Sequence, residues 1–354
     1  LNAVVFVTPP VPEVVLPVIE PEPVPLAAHI AMPTTVRGIY ISGWTAGNKK
    51  SIDRLIALAK DHEINAVVVD IKDATGRLSY QPVDEVLRAT GVGTRKIADL
   101  SVLIDRLHSE GIYVVGRVAV FQDPYRATLH PEDAFHVKDT GVVWRDDKGL
   151  AWLRADAESV WEYTVAIATD AYTQGFDEIN VDYVRYPSDG NLGVIENRAG
   201  ASVRAETIEQ FFAYLDEHIR GAGIPLSADL FGLTMTATGD IGIGQELLRI
   251  APHVDVVAPM IYPSHFAPGS YGYASPASYP YDIIDHALAD GIKKLATIGI
   301  GPEKLRPWLQ DFDLLGVSYT PAMVADQIKA TDLHTSAGWL MWDPKNTYTG
   351  LGGM

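Results

Sequence analysis

The chain has no cysteine in 354 residues, which removes disulfides, thiolate nucleophiles and thiolate metal sites together. Positive charge is also scarce: 28 Lys and Arg stand against 45 Asp and Glu, a net charge of -17. That balance argues against nucleic acid or an anionic membrane surface as the main partner, because both repel an acidic face. No apolar run reaches the roughly 18 residues of a membrane-spanning helix, so no span is expected. The ten histidines show neither His-x-His nor His-x-x-x-His spacing, and His130 and His136 lie six apart in a connection, so no metal is expected. Gly-x-Ser-x-Gly is missing, which argues against a Ser-His-Asp hydrolase. Gly-x-Gly-x-x-Gly does not follow the first strand, which argues against a dinucleotide site, and no cofactor is expected.

What the chain does have is an ordinary globular composition, 47% hydrophobic and 21% charged, sufficient for a large core. Its start, Leu1 to Val7, is too short for a full signal peptide and has no basic residue before it, so it reads as a processed or trimmed start. Eight prolines follow between Thr8 and Pro33, among valines and glutamates. That composition favours extended polyproline-like backbone. Residues 1–35 are expected to form an N-terminal extension, either a stem that spaces the domain from a wall or membrane tether upstream of residue 1, or an arm lying on its own domain. Residues 36–354 are expected to form one domain.

From Val36 onward, short apolar strands alternate with amphipathic helices, the pattern of a parallel sheet with helices outside. Strands are predicted at Arg37–Gly43, Ala66–Asp73, Tyr113–Phe121, Glu178–Pro187, Pro225–Gly232, Val254–Tyr262, Leu305–Asp311 and Ala337–Asp343. Leu295–Ile300 competes for the seventh place. Helices are predicted at Ser51–His62, with Ser51 as cap, and at Ile97–Glu110, Glu158–Gln174, Glu206–Arg220, Asp282–Leu295 and Thr320–Leu333. Eight such units suit a (β/α)8 TIM barrel, and a doubly wound open sheet is the alternative. The connection from Gln122 to Asp156 is long enough to have a job of its own.

Two strands break the rule that buried parallel strands are apolar on both faces. In the fourth, Asn180 and Asp182 share a face, and in the fifth Ser227 and Asp229 do. Adjacent strands lie about 4.8 Å apart, so Asp182 and Asp229 can hold carboxyl oxygens roughly 5 Å apart, the spacing of a retaining glycosidase. At the strand ends of a barrel they are joined by Tyr40, Trp44, Asp70, Lys72, Asp73, Arg117, Asp123, Tyr183, Arg185, Tyr262, Trp308, Gln310, Trp339, Trp342 and Asp343. Acids for an acetal and aromatic faces for a sugar ring point to a carbohydrate substrate. Arg117 and Arg185 are expected to keep the nucleophile ionised. Asp70 and Lys72, both placed inward, suggest a buried ion pair, and Asp343 fits either a substrate contact or a loop cap.

The motifs Val36-Arg-Gly-Ile-Tyr40, Val69-Asp-Ile-Lys-Asp73, Phe176-Asp-Glu-Ile-Asn-Val-Asp-Tyr-Val-Arg-Tyr-Pro187, Met260-Ile-Tyr-Pro-Ser264, Arg306-Pro-Trp-Leu-Gln-Asp-Phe312 and Gly338-Trp-Leu-Met-Trp-Asp343 together resemble the glycoside hydrolase family designated DUF4015, a domain of unknown function. The resemblance implies a barrel of the glycosidase superfamily in exported or surface-attached bacterial proteins, hence an extracellular location. By more distant likeness to alpha-amylase-type barrels it implies Asp182 as nucleophile. Such barrels carry a glutamate acid after the fifth strand where this chain has Asp229, so Asp73, Asp123 and Asp343 stay open as the acid. The expected activity is glycoside hydrolysis. The alternatives are a non-catalytic carbohydrate-binding barrel and a metal-dependent polysaccharide deacetylase.

Overall fold

The computed structural model describes residues 27–353. Eight strands close into one parallel barrel in which each strand pairs with its sequence neighbours and the last pairs with the first. The strands are β1 (Val36–Ile41), β2 (Ala66–Lys72), β3 (Tyr113–Ala119), β4 (Glu178–Asp182), β5 (Leu226–Phe231), β6 (Val256–Met260), β7 (Trp308–Gln310) and β8 (Gly338–Trp342). Among the described residues six helices of ten or more residues pack outside: α1 (Lys49–Asp61), α2 (Leu100–Ser109), α3 (Glu158–Thr173), α4 (Ala201–His218), α5 (Pro280–Ala296) and α6 (Pro321–His334). The strand-helix pattern is incomplete in two places. A four-residue helix, Leu247–Ile250, stands between β5 and β6, and a turn at Thr349–Leu351 follows β8.

The period-two pattern sorts the strand side chains. Val67, Val69, Ile71, Ile179, Val181, Leu226 and Ala228 join the apolar layer between strands and helices. Val36, Ala66, Val68, Tyr113, Val115 and Leu340 fill the barrel interior. Each fully buried Val or Leu contributes roughly 1.5–3 kcal/mol. Gly338 makes the closure possible: its φ is 87°, and a Cβ there would stand 1.9 Å from the Val36 carbonyl oxygen. A side chain at that position would push β8 off β1.

Local signals account for most boundaries. Asn48, not Ser51, caps α1, accepting the Ser51 amide at 3.2 Å, so the helix begins two residues earlier than predicted. Thr320 caps α6 as predicted, with Pro321 in the first turn. The seventh strand is the second of the two candidates, shortened to three residues after Pro307, while Leu295 closes the core face of α5.

The predicted proline-rich extension falls largely on residues 1–26, which lie outside the described residues. Residues 27–35 run along the N-terminal end of the barrel. There Ile30 donates its amide to Asp177 at 2.8 Å, and His29 stacks on Tyr172 with ring centroids 3.9 Å apart. Just inside that end, Arg306 pairs with Glu178, which also accepts from Ser227 and Tyr113. Polar side chains thus line the interior of β4 and β5 from the floor up to the opposite mouth.

Candidate active site

The inward rows of β2 to β5 bring three carboxylates onto one guanidinium. Asp70, Arg117 and Asn180 stand in register across β2, β3 and β4, with Asp182 and Asp229 one inward step further along β4 and β5. Arg117 pairs with Asp70 through Nη1 and with Asp182 through Nη2, and its Nε lies 3.6 Å from Asp229 Oδ2. None of the four is more than 7% exposed. Two carboxylates reaching one planar guanidinium stand inside the roughly 9 Å beyond which glycosidase geometries fail.

Three acids against one arginine leave an excess of buried negative charge, and protonation relieves it. Burial, with the neighbouring Asp182 carboxylate adding to it, pushes the Asp229 carboxyl up to about 8. Burial also raises Asp70, opposed by Arg117. The two catalytic candidates then differ in setting. Asp182 lines the open cleft and accepts the Tyr183 amide at 2.5 Å. Tyr183 reaches that position with φ at 54°, left-handed backbone that a bulky residue seldom adopts. Asp229 sits deeper, where Oδ1 accepts from Asn180 Nδ2 at 2.9 Å and from Trp308 Nε1 at 2.6 Å.

Aromatic rings wall this cluster. Tyr40 stacks on Trp342 with centroids 3.9 Å apart and donates its hydroxyl to Asp70 at 2.6 Å. Trp308 meets Trp342 edge-on at 5.6 Å, and the Arg117 guanidinium lies 5.2 Å from the Trp342 ring. The cleft continues as two adjoining cavities that share Tyr262 and His265. One, of about 440 Å3, is bordered by Asp182, Tyr183, Arg185, Phe231, Met260 and Phe266. The other, of about 540 Å3, is bordered by Asp311, Phe312, Trp342 and Asp343. Both volumes are of the size that takes a small ligand or a sugar unit.

Other candidates stand elsewhere. Lys72 is not inward and does not pair with Asp70. The register between β2 and β3 shifts between those two residues, and Lys72 Nζ meets Asp123 Oδ2 at 2.7 Å and the Ala119 carbonyl at 2.6 Å, on the side of the α3 residue Tyr163. Asp123 also caps the helix Pro124–Leu129 and is fully buried. Trp339 packs in the strand-helix layer, because it stands three positions, an odd number, from the inward Trp342 and the period is two. Gln310 is buried and ties loops together, accepting from Ser264 and donating to the Phe312 carbonyl.

Asp343 borders the second cavity while its oxygens accept the amides of Lys345, Thr347 and Tyr348, the geometry of a loop cap. Asp73 pairs with Lys96 at the rim beside Trp44, which is 70% exposed. Arg185 makes no ion pair with Asp182; among the described residues Arg117 alone does. The site also contains residues that sequence reasoning missed. Phe231 shares the inward parity of Asp229, a signal that was available, while Asn180 was placed on the face of Asp182 without being named a site residue. His265 and Trp152 arrive from connections and carried no such signal. Trp152 is positioned within the long Gln122–Asp156 connection, where Asp146 accepts from its indole at 2.9 Å and from Gln122 at 3.0 Å.

Comparison with known proteins gives a family and a fold. The family model DUF4015, described as "Putative glycosyl hydrolase domain", matches residues 38–348. A hypothetical protein from Ruminiclostridium thermocellum ATCC 27405 is 34% identical over 54% of this chain and 96% of its own, with a TM-score of 0.48. An alpha-galactosidase from Thermus thermophilus is 13% identical over 89% of this chain, with a TM-score of 0.52. This chain spans 62% of that enzyme's length, less than two thirds. The catalytic domain of a beta-amylase from Paenibacillus polymyxa is 10% identical over 90% of this chain and 95% of its own, with a TM-score of 0.52. At those identities the two enzymes share the barrel fold. No curated protein matches the sequence.

Proposed function

Because the chain belongs to the DUF4015 family of glycosyl hydrolase domains, we propose that it hydrolyses a poly- or oligosaccharide with retention of configuration, using Asp182 as nucleophile and Asp229 as acid and base. The observation that carries this reading is the shared guanidinium of Arg117, which brings Asp182 and Asp229 together, with the Asp229 carboxyl pushed up to about 8 by burial and then by Asp182, against the pull of Arg117. Asp182, paired to Arg117 and accepting an amide, is held in place at the cleft wall. Asp229, raised to about 8, carries a proton at neutral pH.

In the first step Asp229 gives its proton to the glycosidic oxygen as the bond from that oxygen to the anomeric carbon breaks. Asp182 forms the new bond to that carbon, and the aglycone leaves as an alcohol. Water then attacks the same carbon as its bond to Asp182 breaks and returns the carboxylate, Asp229 takes the water's proton, and the sugar is released with the configuration it began with. Tyr40 and Trp342 offer stacked apolar faces to the ring beside the reacting centre.

A panel of oligosaccharides incubated with the wild type and with Asp182→Asn tests the reading. We expect cleavage by the wild type alone, with the anomer first released matching the substrate's when followed by proton NMR. Binding without turnover by either protein would leave a non-catalytic carbohydrate-binding barrel, and release of the opposite anomer would exclude the retaining mechanism.

A further inference from the structure

Arg185 is a cation in the cleft wall without an acidic partner. Among the described residues no carboxylate oxygen lies within 4.0 Å of its guanidinium, whereas Arg126, Arg204 and Arg306 each have one such partner and Arg117 has three. Its position is nevertheless fixed. The guanidinium lies 4.6 Å from the Trp152 ring, 5.1 Å from Phe231 and 5.4 Å from Tyr183. Nη1 donates to the Tyr186 carbonyl and to Ser188 Oγ, both at 3.2 Å. Aromatic faces steady a cation without cancelling its charge, and they leave this half-buried guanidinium open on the cleft side. Burial correspondingly lowers the acidity threshold of this arginine, against the pull of Asp182, Asp189 and Asp146 at longer range.

This arrangement differs from a structural salt bridge in what it leaves unsatisfied. Among the described residues Nε and Nη2 make no hydrogen bond, so one edge of a planar donor fork is free in the wall of the 440 Å3 cavity that Asp182 also borders. Such a fork matches the paired oxygens of a carboxylate, sulfate or phosphate. A neutral hydroxyl would use one N–H and leave the charge uncompensated in a low-dielectric wall. The net charge of -17 cannot recruit an anion by long-range attraction, so recognition has to be local, at a preformed cation.

We propose that the cavity beside Asp182 accepts a sugar residue bearing an acidic substituent, bound through Arg185, and that the carbohydrate acted on is therefore anionic. The proposal rests on the glycosidase reading of the same cleft for the cleavage, and on Arg185 alone for the binding. Titration calorimetry on the full chain separates the two. The probes are trigalacturonate and its methyl ester, and galactose 6-sulfate and galactose 6-phosphate against galactose, each with the wild type, Arg185→Gln and Arg185→Lys. Circular dichroism and thermal melting check that each variant is folded.

We expect at least one acidic probe to bind the wild type about tenfold more tightly than its neutral counterpart, as a charge-assisted contact implies. Which probe does so identifies the acidic group. Arg185→Gln should abolish the preference while neutral binding persists, and Arg185→Lys should keep part of it. Equal or absent binding of all acidic probes, or a preference that survives in Arg185→Gln, overturns the proposal. Cleavage of neutral glycans with no acidic preference sinks this inference and leaves the hydrolase reading standing. An Arg185-dependent preference without turnover does the reverse.

Discussion

Arg117 meets three carboxylates and can balance one, so the protonation of the other two decides what the cluster does. Asp229 is raised to about 8 first by burial and then by Asp182. An acid of that kind is competent below its titration point, so kcat/KM should fall as pH rises through about 8, and a pH profile reads this directly. Asp229→Asn should cost roughly 10²–10⁴-fold in kcat, the usual worth of a general acid. The same group also predicts a stability effect. Its folded value lies above the roughly 3.9 of an unfolded aspartate, so the native state holds more protons between those values and stability declines as pH rises from about 4 to about 8. Asp229→Asn removes that dependence and keeps the shape of the group, with an amide nitrogen in place of one oxygen. We therefore expect the variant to gain in melting temperature relative to wild type at pH 8 and to gain less, or nothing, at pH 5. A loss at both values would mean that the hydrogen bonds from Asn180 and Trp308 dominate the position.

At the scale of strands, the sequence pattern reached the polar inner faces of β4 and β5 because alternation in a buried parallel strand leaves few choices. It did not reach the shift in pairing between Asp70 and Lys72, since one irregular residue in a run of apolar ones leaves no mark in composition. Everything after such a shift faces the other way, which is why Lys72 meets Asp123 and not Asp70. The same limit hid Trp152, whose place depends on a turn organised by Asp146 far from any strand. The shift has an energetic consequence. Lys72 and Asp123 are 1% and 0% exposed in their side chains, so removing either partner strands the other charge in the interior. We expect Lys72→Met to destabilise the fold by about 3–5 kcal/mol in urea titration. Because neither side chain borders the cleft cavities, KM should stay near wild type in whatever fraction folds. A stable variant with a raised KM would restore Lys72 to the substrate site.

Taken as a whole, the molecule sets its acidic surface against the cation it offers in the cleft, and the two act over different distances. The net charge of -17 repels a polyanion through solvent, where the Debye length is about 30 Å at 0.01 M salt and about 8 Å at 0.15 M. Arg185 acts at contact, between aromatic rings, where ions screen much less. Raising the ionic strength should therefore relieve the long-range repulsion before it weakens the contact. For an acidic oligosaccharide, kcat/KM should rise between about 10 and 150 mM salt, while for its neutral methyl ester it should stay flat. Initial rates at substrate concentrations well below KM measure this, because they report encounter as well as chemistry. A fall with salt for the acidic substrate would mean that attraction governs encounter, against the sign of the net charge. Equal slopes for acid and ester would place the salt effect on the protein and not on the substrate's charge. Within the barrel the balance runs the other way from the surface: deeper than Arg185, the single Arg117 is outnumbered by acids, so an anionic group bound at Arg185 stops at the wall and leaves the reacting carbon to Asp182.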